Sequence, residues 1–255
     1  MTLFDLSGKV AIISGGSRGI GAAIAHALAG AGARVVISSR RLENLELVAA
    51  DINERYPGRA LAVAAHAGRR EETANVVEQA VAHFGRLDIA VNNAGTNPHF
   101  GPLLTASEAQ WDKILEVNVK GYFWLCQLAA QQMERQGDGG KIINIASVAG
   151  LKPGAMMGVY SVSKAAVIML TKVLAVELGA SNIQVNAIAP GFIKTRFSGA
   201  LWQNEAIASE IVARTPAREI AEPESLTGLA LYLASPASNF TTGAVFTVDG
   251  GYTLT

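Results

Sequence analysis

The sequence predicts one doubly wound α/β domain over residues 1–255, a parallel sheet of about seven strands with helices on both faces. Three observations predict it. Short apolar runs alternate with longer helical patterns almost throughout. The runs are near-continuously apolar, as strands are when helices cover both sheet faces. The first run leads into a glycine-rich turn, Gly15-Gly16-Ser17-Arg18-Gly19-Ile20-Gly21, that opens a helical pattern. No linker, low-complexity tract or short internal repeat interrupts the series.

Taken in order, residues 10–14 form the first strand, and Ile20, Ile24, Leu28 and Ala31 then recur at helical spacing. A strand at 34–39 precedes a helix over 42–53, and a third strand occupies 60–65. Val76, Val77, Ala80, Val81 and Phe84 make the apolar face of the next helix, followed by a strand at 89–92. Ser107-Glu108-Ala109-Gln110 has the spacing of a capping box and starts a long helix reaching about Gln136. A glycine-rich turn leads to a strand at 141–145, then a helix over 158–180 and a strand at 184–189. Residues 192–216 break the alternation, and a helix at 225–234 and a strand at 244–248 close the chain. Such folds bind ligands at the carboxyl edge of the sheet, where 192–216 emerges, so this stretch is a candidate substrate lid.

Composition narrows the function. Half the residues are hydrophobic and 16% are charged, enough to bury a large core and a subunit interface. Lysine plus arginine balances aspartate plus glutamate at 21 each, and no basic run exists, which argues against a nucleic-acid partner. The lone Cys126, in an apolar stretch, excludes an internal disulfide framework and a cysteine-ligated zinc. Four scattered histidines lack ligand spacing, so no metal is expected. The amino terminus has no signal-peptide pattern, and no apolar run looks long enough to cross a bilayer. The expectation is a protein of a reducing cytoplasm, away from membranes.

Gly15, Gly19 and Gly21 follow a strand and open a helix. Small residues let the backbone approach a pyrophosphate, and the helix start offers unpaired N–H groups and partial positive charge. The same residues also spell G-x-S-x-G, a hydrolase nucleophile turn with Ser17 as nucleophile. Against that, the turn follows the first strand, and no histidine follows His99 to complete a triad. The second strand ends in Ser39-Arg40, where proteins that prefer NAD place an acid on the ribose 2′-hydroxyl. With Arg18 approaching from the glycine turn, donors and positive charge suit a 2′-phosphate, and NADP(H) is favoured over NAD(H).

Tyr160 and Lys164, at i and i+4, share a helix face, and Ser147 stands thirteen residues before Tyr160. A nearby ammonium is expected to lower the phenol pKa from its ordinary value of about 10, so that Tyr160 exchanges a proton with a carbonyl or alcohol oxygen. Ser147 can hydrogen-bond the same oxygen, and Lys164 can donate to cofactor ribose hydroxyls. A Y-x-x-x-K pair also arises by chance. The order glycine turn, Asn92-Asn93-Ala94-Gly95, Ser147, Tyr160, Lys164 makes coincidence a poor explanation.

On these residues the chain resembles a short-chain dehydrogenase/reductase of the roughly 250-residue type, with a Rossmann domain, from Lys9-Val10 to Asp249-Gly250-Gly251. The resemblance implies that Asn118 holds a water linking Lys164 to solvent. It puts Asn92 at the adenosine end of the cofactor, and the Ile193 backbone and Thr195 hydroxyl on the carboxamide. It has Asn186 bracing the loop after Gly191. Ser14 stands where the family has threonine, and His66 stands near the family's adenine-reading aspartate. The stretches 93–101 and 193–202, with Ser38-Ser39-Arg40, resemble NADPH-dependent carbonyl reductases acting on ketones, diketones and retinal. The implied substrate pocket gathers Pro98, Phe100, Met156, Phe192, Phe197 and Trp202.

The expected function is hydride transfer between NADP(H) and a small ketone or secondary alcohol. Two alternatives stand beside it, a reductase of 3-oxoacyl groups on acyl carrier protein and a non-catalytic NADP-sensing or scaffold protein. The family suggests a homotetramer. Val167, Ile168, Leu170, Val173, Leu174 and Val176 suit burial between subunits, or against the chain's own sheet.

Overall fold

The computed structural model describes residues 3–255. Among them, seven strands form one parallel sheet: β1 (Val10–Ser14), β2 (Arg34–Ser39), β3 (Ala60–Ala64), β4 (Ile89–Asn92), β5 (Gly140–Ile145), β6 (Ile183–Pro190) and β7 (Val245–Val248). Their order is β3-β2-β1-β4-β5-β6-β7. The chain winds outward from β1 to β3, returns to lay β4 against the free side of β1, and winds outward the other way. The two directions part between β1 and β4, so a crevice opens at their carboxyl ends.

Alternation along the strands divides the core in two. Ala11, Ile13, Val35 and Ile37 pack with Ile24 and Leu28 of α1 (Gly19–Gly30), Leu45 of α2 (Leu42–Arg55) and, farther on, Leu233. Val10, Ile12 and Val36 face the other way, onto Val76, Val77 and Ala80 of α3 (Arg70–Phe84) and onto Leu125 and Cys126. Each isoleucine buried to this degree contributes on the order of 2 kcal/mol. Apolarity on both faces is why the strands read as unbroken hydrophobic runs.

The expected capping box is present: Gln110 N–H donates to the Ser107 hydroxyl at 3.4 Å, and Ser107 N–H donates to the Gln110 side-chain oxygen at 2.9 Å. The long helix it starts is interrupted. It runs as α4 (Glu108–Leu115), a π-helical turn (Glu116–Lys120) and α5 (Gly121–Gln136). Helix α6 (Gly158–Leu178) ends in a short 3-10 turn, Gly179–Ser181. The irregular stretch 192–216 contains two short helices, α7 (Gly199–Trp202) and α8 (Glu205–Arg214), and α9 (Thr227–Ala234) precedes β7.

One expectation needs correction: Gly158–Ser181 is long and apolar enough to cross a membrane by length and composition, with half of its apolar window buried in the fold. The apolar residues of α6 divide between two environments. Val167, Ile168 and Leu174 are buried, whereas Met169, Val173 and Val176 are exposed.

Candidate active site

The crevice between β1 and β4 is a cavity of about 560 Å³. One end is walled by Arg18, Ser39, Arg40 and His66, and the other by Ser147, Tyr160 and Phe197. The glycine turn forms its floor. Gly19 adopts a left-handed φ of +56°, and a Cβ there would lie 3.2 Å from the Thr195 methyl, so glycine keeps space between the turn and the 192–216 stretch. Helix α1 starts without a side-chain cap, which leaves its first N–H groups free for an anion. This cradle, with Ile20, Ile193 and Thr195 along the same wall, fits a nicotinamide dinucleotide. When bound, that group supplies or accepts the hydride; the protein binds, orients and moves protons.

Ser147, Tyr160 and Lys164 converge on the cavity. Ser147 follows β5 and caps a 3-10 turn, Val148–Gly150, accepting from Ala149 N–H at 3.1 Å. Gly150 lets that turn press on α6, because a Cβ there would lie 2.7 Å from the Lys164 carbonyl carbon. Ser147 and Tyr160 line the same cavity. Lys164 is 3% exposed, and its Nζ lies 5.7 Å from the centre of the Tyr160 ring. The ammonium donates to Ile145 O at 2.7 Å and to the Tyr122 hydroxyl at 3.1 Å. Tyr122, which no sequence motif marks, itself donates to Ile145 O at 2.9 Å. It braces the lysine, and its only sequence signal is its place one turn beyond Asn118.

The direction expected for the phenol is reversed. Burial pushes Tyr160 up to about 12, with the Ser147 hydroxyl pulling down against it, while burial pushes Lys164 down to about 7. One dry environment disfavours both the phenolate and the ammonium. The two side chains do face each other, but the lysine's bonds go to Ile145 and Tyr122. Tyr160 is therefore a protonated donor at neutral pH, suited to delivering a proton to a developing alkoxide.

Asn118 sits in the π turn, fully buried. Its side-chain oxygen accepts from Thr96 N–H at 2.8 Å, and its amide donates to Thr96 O at 3.0 Å and the Ser163 hydroxyl at 3.1 Å. Ser163 in turn donates to Tyr160 O at 2.7 Å. The Asn118 side chain thus ties the loop after β4 to the first turn of α6, and these bonds leave its oxygen and nitrogen engaged.

Several expected cofactor and substrate contacts are corrected. Asn92 is 1% exposed and donates to Asn144 Oδ1 at 2.9 Å; Asn93 is the residue that lines the cavity. Successive strand residues point to opposite faces, and the motif's first asparagine points into the core. Asn93 also donates to Ser14 O and Gly15 O, both at 3.1 Å, while the Ser14 hydroxyl accepts from Asn93 N–H at 3.0 Å, joining the ends of β1 and β4. Gly21 lies behind the floor, where a Cβ would meet Gly15 O at 2.4 Å. Asn186 braces the approach to β7, donating to Thr241 O at 2.7 Å and accepting from Ala244 N–H at 3.1 Å.

Of the six pocket residues, Pro98, Phe192 and Phe197 line the cavity. The Phe197 ring lies 5.8 Å from that of Tyr160. Phe100 is exposed and lies outside the lining. Met156 takes a left-handed φ of 70° and is exposed, so its neighbour Met157 forms the wall. Trp202 lies against a second cavity instead, and its indole N–H donates to Thr195 O at 2.9 Å. Ser198, overlooked in the sequence, gathers the same segment: its hydroxyl accepts from Thr195 N–H at 3.1 Å and donates to Ile193 O.

Comparison with known proteins agrees with this architecture. A family model described as Enoyl-(Acyl carrier protein) reductase matches residues 15–253. The chain is 41% identical over 246 residues to Dehydrogenase/reductase SDR family member 4 of Oryctolagus cuniculus, covering 96% of this chain and 94% of that one. It is 39% identical over 254 residues to 2-dehydro-3-deoxy-D-gluconate 5-dehydrogenase of Dickeya dadantii, covering 99% and 98%. A crystal structure of a gluconate 5-dehydrogenase from Burkholderia cenocepacia, in complex with NADP and tartrate, superposes with a TM-score of 0.94 at 35% identity, covering 99% and 98%. The chain belongs to the short-chain dehydrogenase/reductase family and is an NAD(P)-dependent oxidoreductase acting on CH–OH and C=O groups.

Proposed function

We propose that this enzyme is an NADPH-dependent reductase of small ketones. The observation that carries the reading is the charge of its cavity. Among the described residues no carboxylate lines it, and its adenosine end presents Arg18, Ser39 and Arg40. A 2′-phosphate is attracted there, and nothing in the wall is placed to favour a bare ribose hydroxyl. At the far end Tyr160 donates the proton, Ser147 holds the substrate oxygen, and Lys164 orients the ribose. Residues 192–216 act as the lid, with Ile193 and Thr195 toward the nicotinamide and Phe192, Phe197 and Pro98 toward an apolar substituent. The exposed Met169, Val173 and Val176 of α6 are taken as subunit contacts of a homotetramer. A cytoplasmic location belongs to the same reading, the lone Cys126 being buried and free.

A second reading has its own observation. Arg196 also lines the substrate end, and no ion pair holds it among the described residues. A free guanidinium there would anchor a carboxylate, as in sugar-acid substrates of the kind named for two of the relatives.

Purified protein mixed with NADPH and a panel of neutral ketones, keto acids and a 3-oxoacyl carrier protein, followed at the nicotinamide absorbance, tests these readings. Turnover of neutral ketones supports the first. Turnover confined to keto acids and lost in Arg196→Ala supports the second. Activity only on the carrier-bound chain overturns both, and silence across the panel returns the protein to a sensing role.

A further inference from the structure

A third side-chain cation reaches the adenosine end of the cavity. Lys113, on α4, lines it together with His66, Arg18 and Arg40. The Lys113 ammonium lies 3.1 Å from His66 Nε2 and 3.0 Å from the Glu116 carboxylate. On the other side of the ring, Gly68 N–H donates to His66 Nδ1 at 3.1 Å. Gly68 also admits the Glu116 chain, since a Cβ there would lie 2.9 Å from Glu116 Cγ.

The hydrogen bonding of this cluster is incomplete in a way that identifies a ligand. A neutral imidazole offers one acceptor and one donor, and an ammonium offers donors only. With Nδ1 accepting from Gly68, Nε2 carries the hydrogen and turns it toward another donor, Lys113. Reversing the tautomer satisfies Lys113 and strands Gly68 N–H. Protonating the ring worsens both ends, and Arg40 and Arg69 also repel that charge, against the attraction of Glu116 and Glu72. Glu72, the remaining carboxylate, is occupied by His66 N–H at 2.6 Å and by Arg69 at 2.9 Å. An acceptor-only group entering the cavity resolves the conflict by drawing the ammonium off the ring.

We propose that Lys113 is a specificity-determining residue for the phosphorylated cofactor, swinging from His66 onto the adenosine 2′-phosphate, with His66 and Glu116 as its positioning residues. This rests on the NADP reading above. Arg18 and Arg40 come from the β1 and β2 sides of the cavity, and Lys113 closes on the phosphate from α4. The carboxylate paired with Lys113, Glu116, is outside the cavity lining, and no carboxylate among the lining residues competes with a phosphate for the ammonium.

The test is calorimetric titration of the full chain with 2′,5′-ADP and with ADP, reading the ratio of the two affinities. The wild-type protein is expected to prefer 2′,5′-ADP. Lys113→Met is expected to cut that preference about tenfold, one hydrogen-bonded charge pair's worth. Lys113→Arg is expected to retain most of it, and His66→Asp to reduce it by recapturing the lysine. If the methionine variant melts early, Lys113→Gln carries the same expectation. A wild-type preference that survives both neutral substitutions overturns the role of Lys113 and leaves the NADP reading intact. A wild-type protein that fails to distinguish the two nucleotides overturns the NADP reading itself, and this proposal with it.

Discussion

Lys164→Met tests the physical state of the site without any substrate. Burial holds the Lys164 ammonium near 7 against an ordinary 10.5, at 3% exposure. Between those values the unfolded chain binds a proton that the native chain does not, so native stability rises with pH. The sign follows from the depressed native value: the contribution is fully present above 10.5, declines as pH falls, and is exhausted below about 7. The full drop corresponds to about 5 kcal/mol at about 1.4 kcal/mol per pH unit. Between about pH 7 and about pH 9 the wild-type protein should gain about 2 kcal/mol over the methionine variant. Urea unfolding at three pH values in that interval measures the difference. Lys141, also lowered by burial to about 8, is common to both chains and cancels. A difference that stays flat across the interval would show that native Lys164 keeps its proton, and the account of a dry site disfavouring charge would fail.

Three other outcomes are expected. Tyr160→Phe should bind NADPH as the wild type does and lose turnover by roughly 100-fold or more, the usual worth of a positioned proton donor; single-turnover absorbance and cofactor fluorescence read the two quantities, and an unchanged rate removes Tyr160 from the chemistry. Arg40→Asp should weaken NADPH by roughly tenfold or more while sparing NADH, since an acid repels the phosphate and accepts from a ribose hydroxyl; equal losses for both cofactors would refute the phosphate site. Val176→Glu, at a position 84% exposed on α6, should shift the mass seen by light scattering toward smaller species, and an unchanged mass would place the subunit contact elsewhere.

The sheet and the meeting of Ser147, Tyr160 and Lys164 in one cavity were legible because their signals are periodic or rest on spacing. Strands such as β1 are apolar on both faces, and Tyr160 and Lys164 lie one helical turn apart. What escaped depends on single-residue phase. Asn92 and Asn93 differ by one position at the end of β4, and one side chain enters the core while the other enters the cavity. Met156 and Met157 exchange roles because the backbone turns left-handed at the first of them. Trp202 has the size and polarity of a pocket residue, yet its indole N–H finds Thr195 O, a partner set only by how α7 docks. The phenol's direction escaped for another reason: adjacency of Tyr160 and Lys164 is visible in the sequence, but the dryness that governs both is a property of the assembled site.

The wider π turn makes chain length in one small region more critical than side-chain identity. Gly121 N–H donates to Glu116 O, so the turn contains one residue more than a regular helix would. That surplus offsets everything downstream by about 100° around the helix axis. Upstream, Lys113 looks into the cofactor crevice; downstream, Tyr122 meets Lys164 and Leu125 and Cys126 meet the sheet. A deletion of one residue between Leu115 and Gly121 would restore an ordinary helix and rotate the tyrosine out of reach of its lysine, so a change of chain length by one residue here should cost more than most substitutions at the same positions.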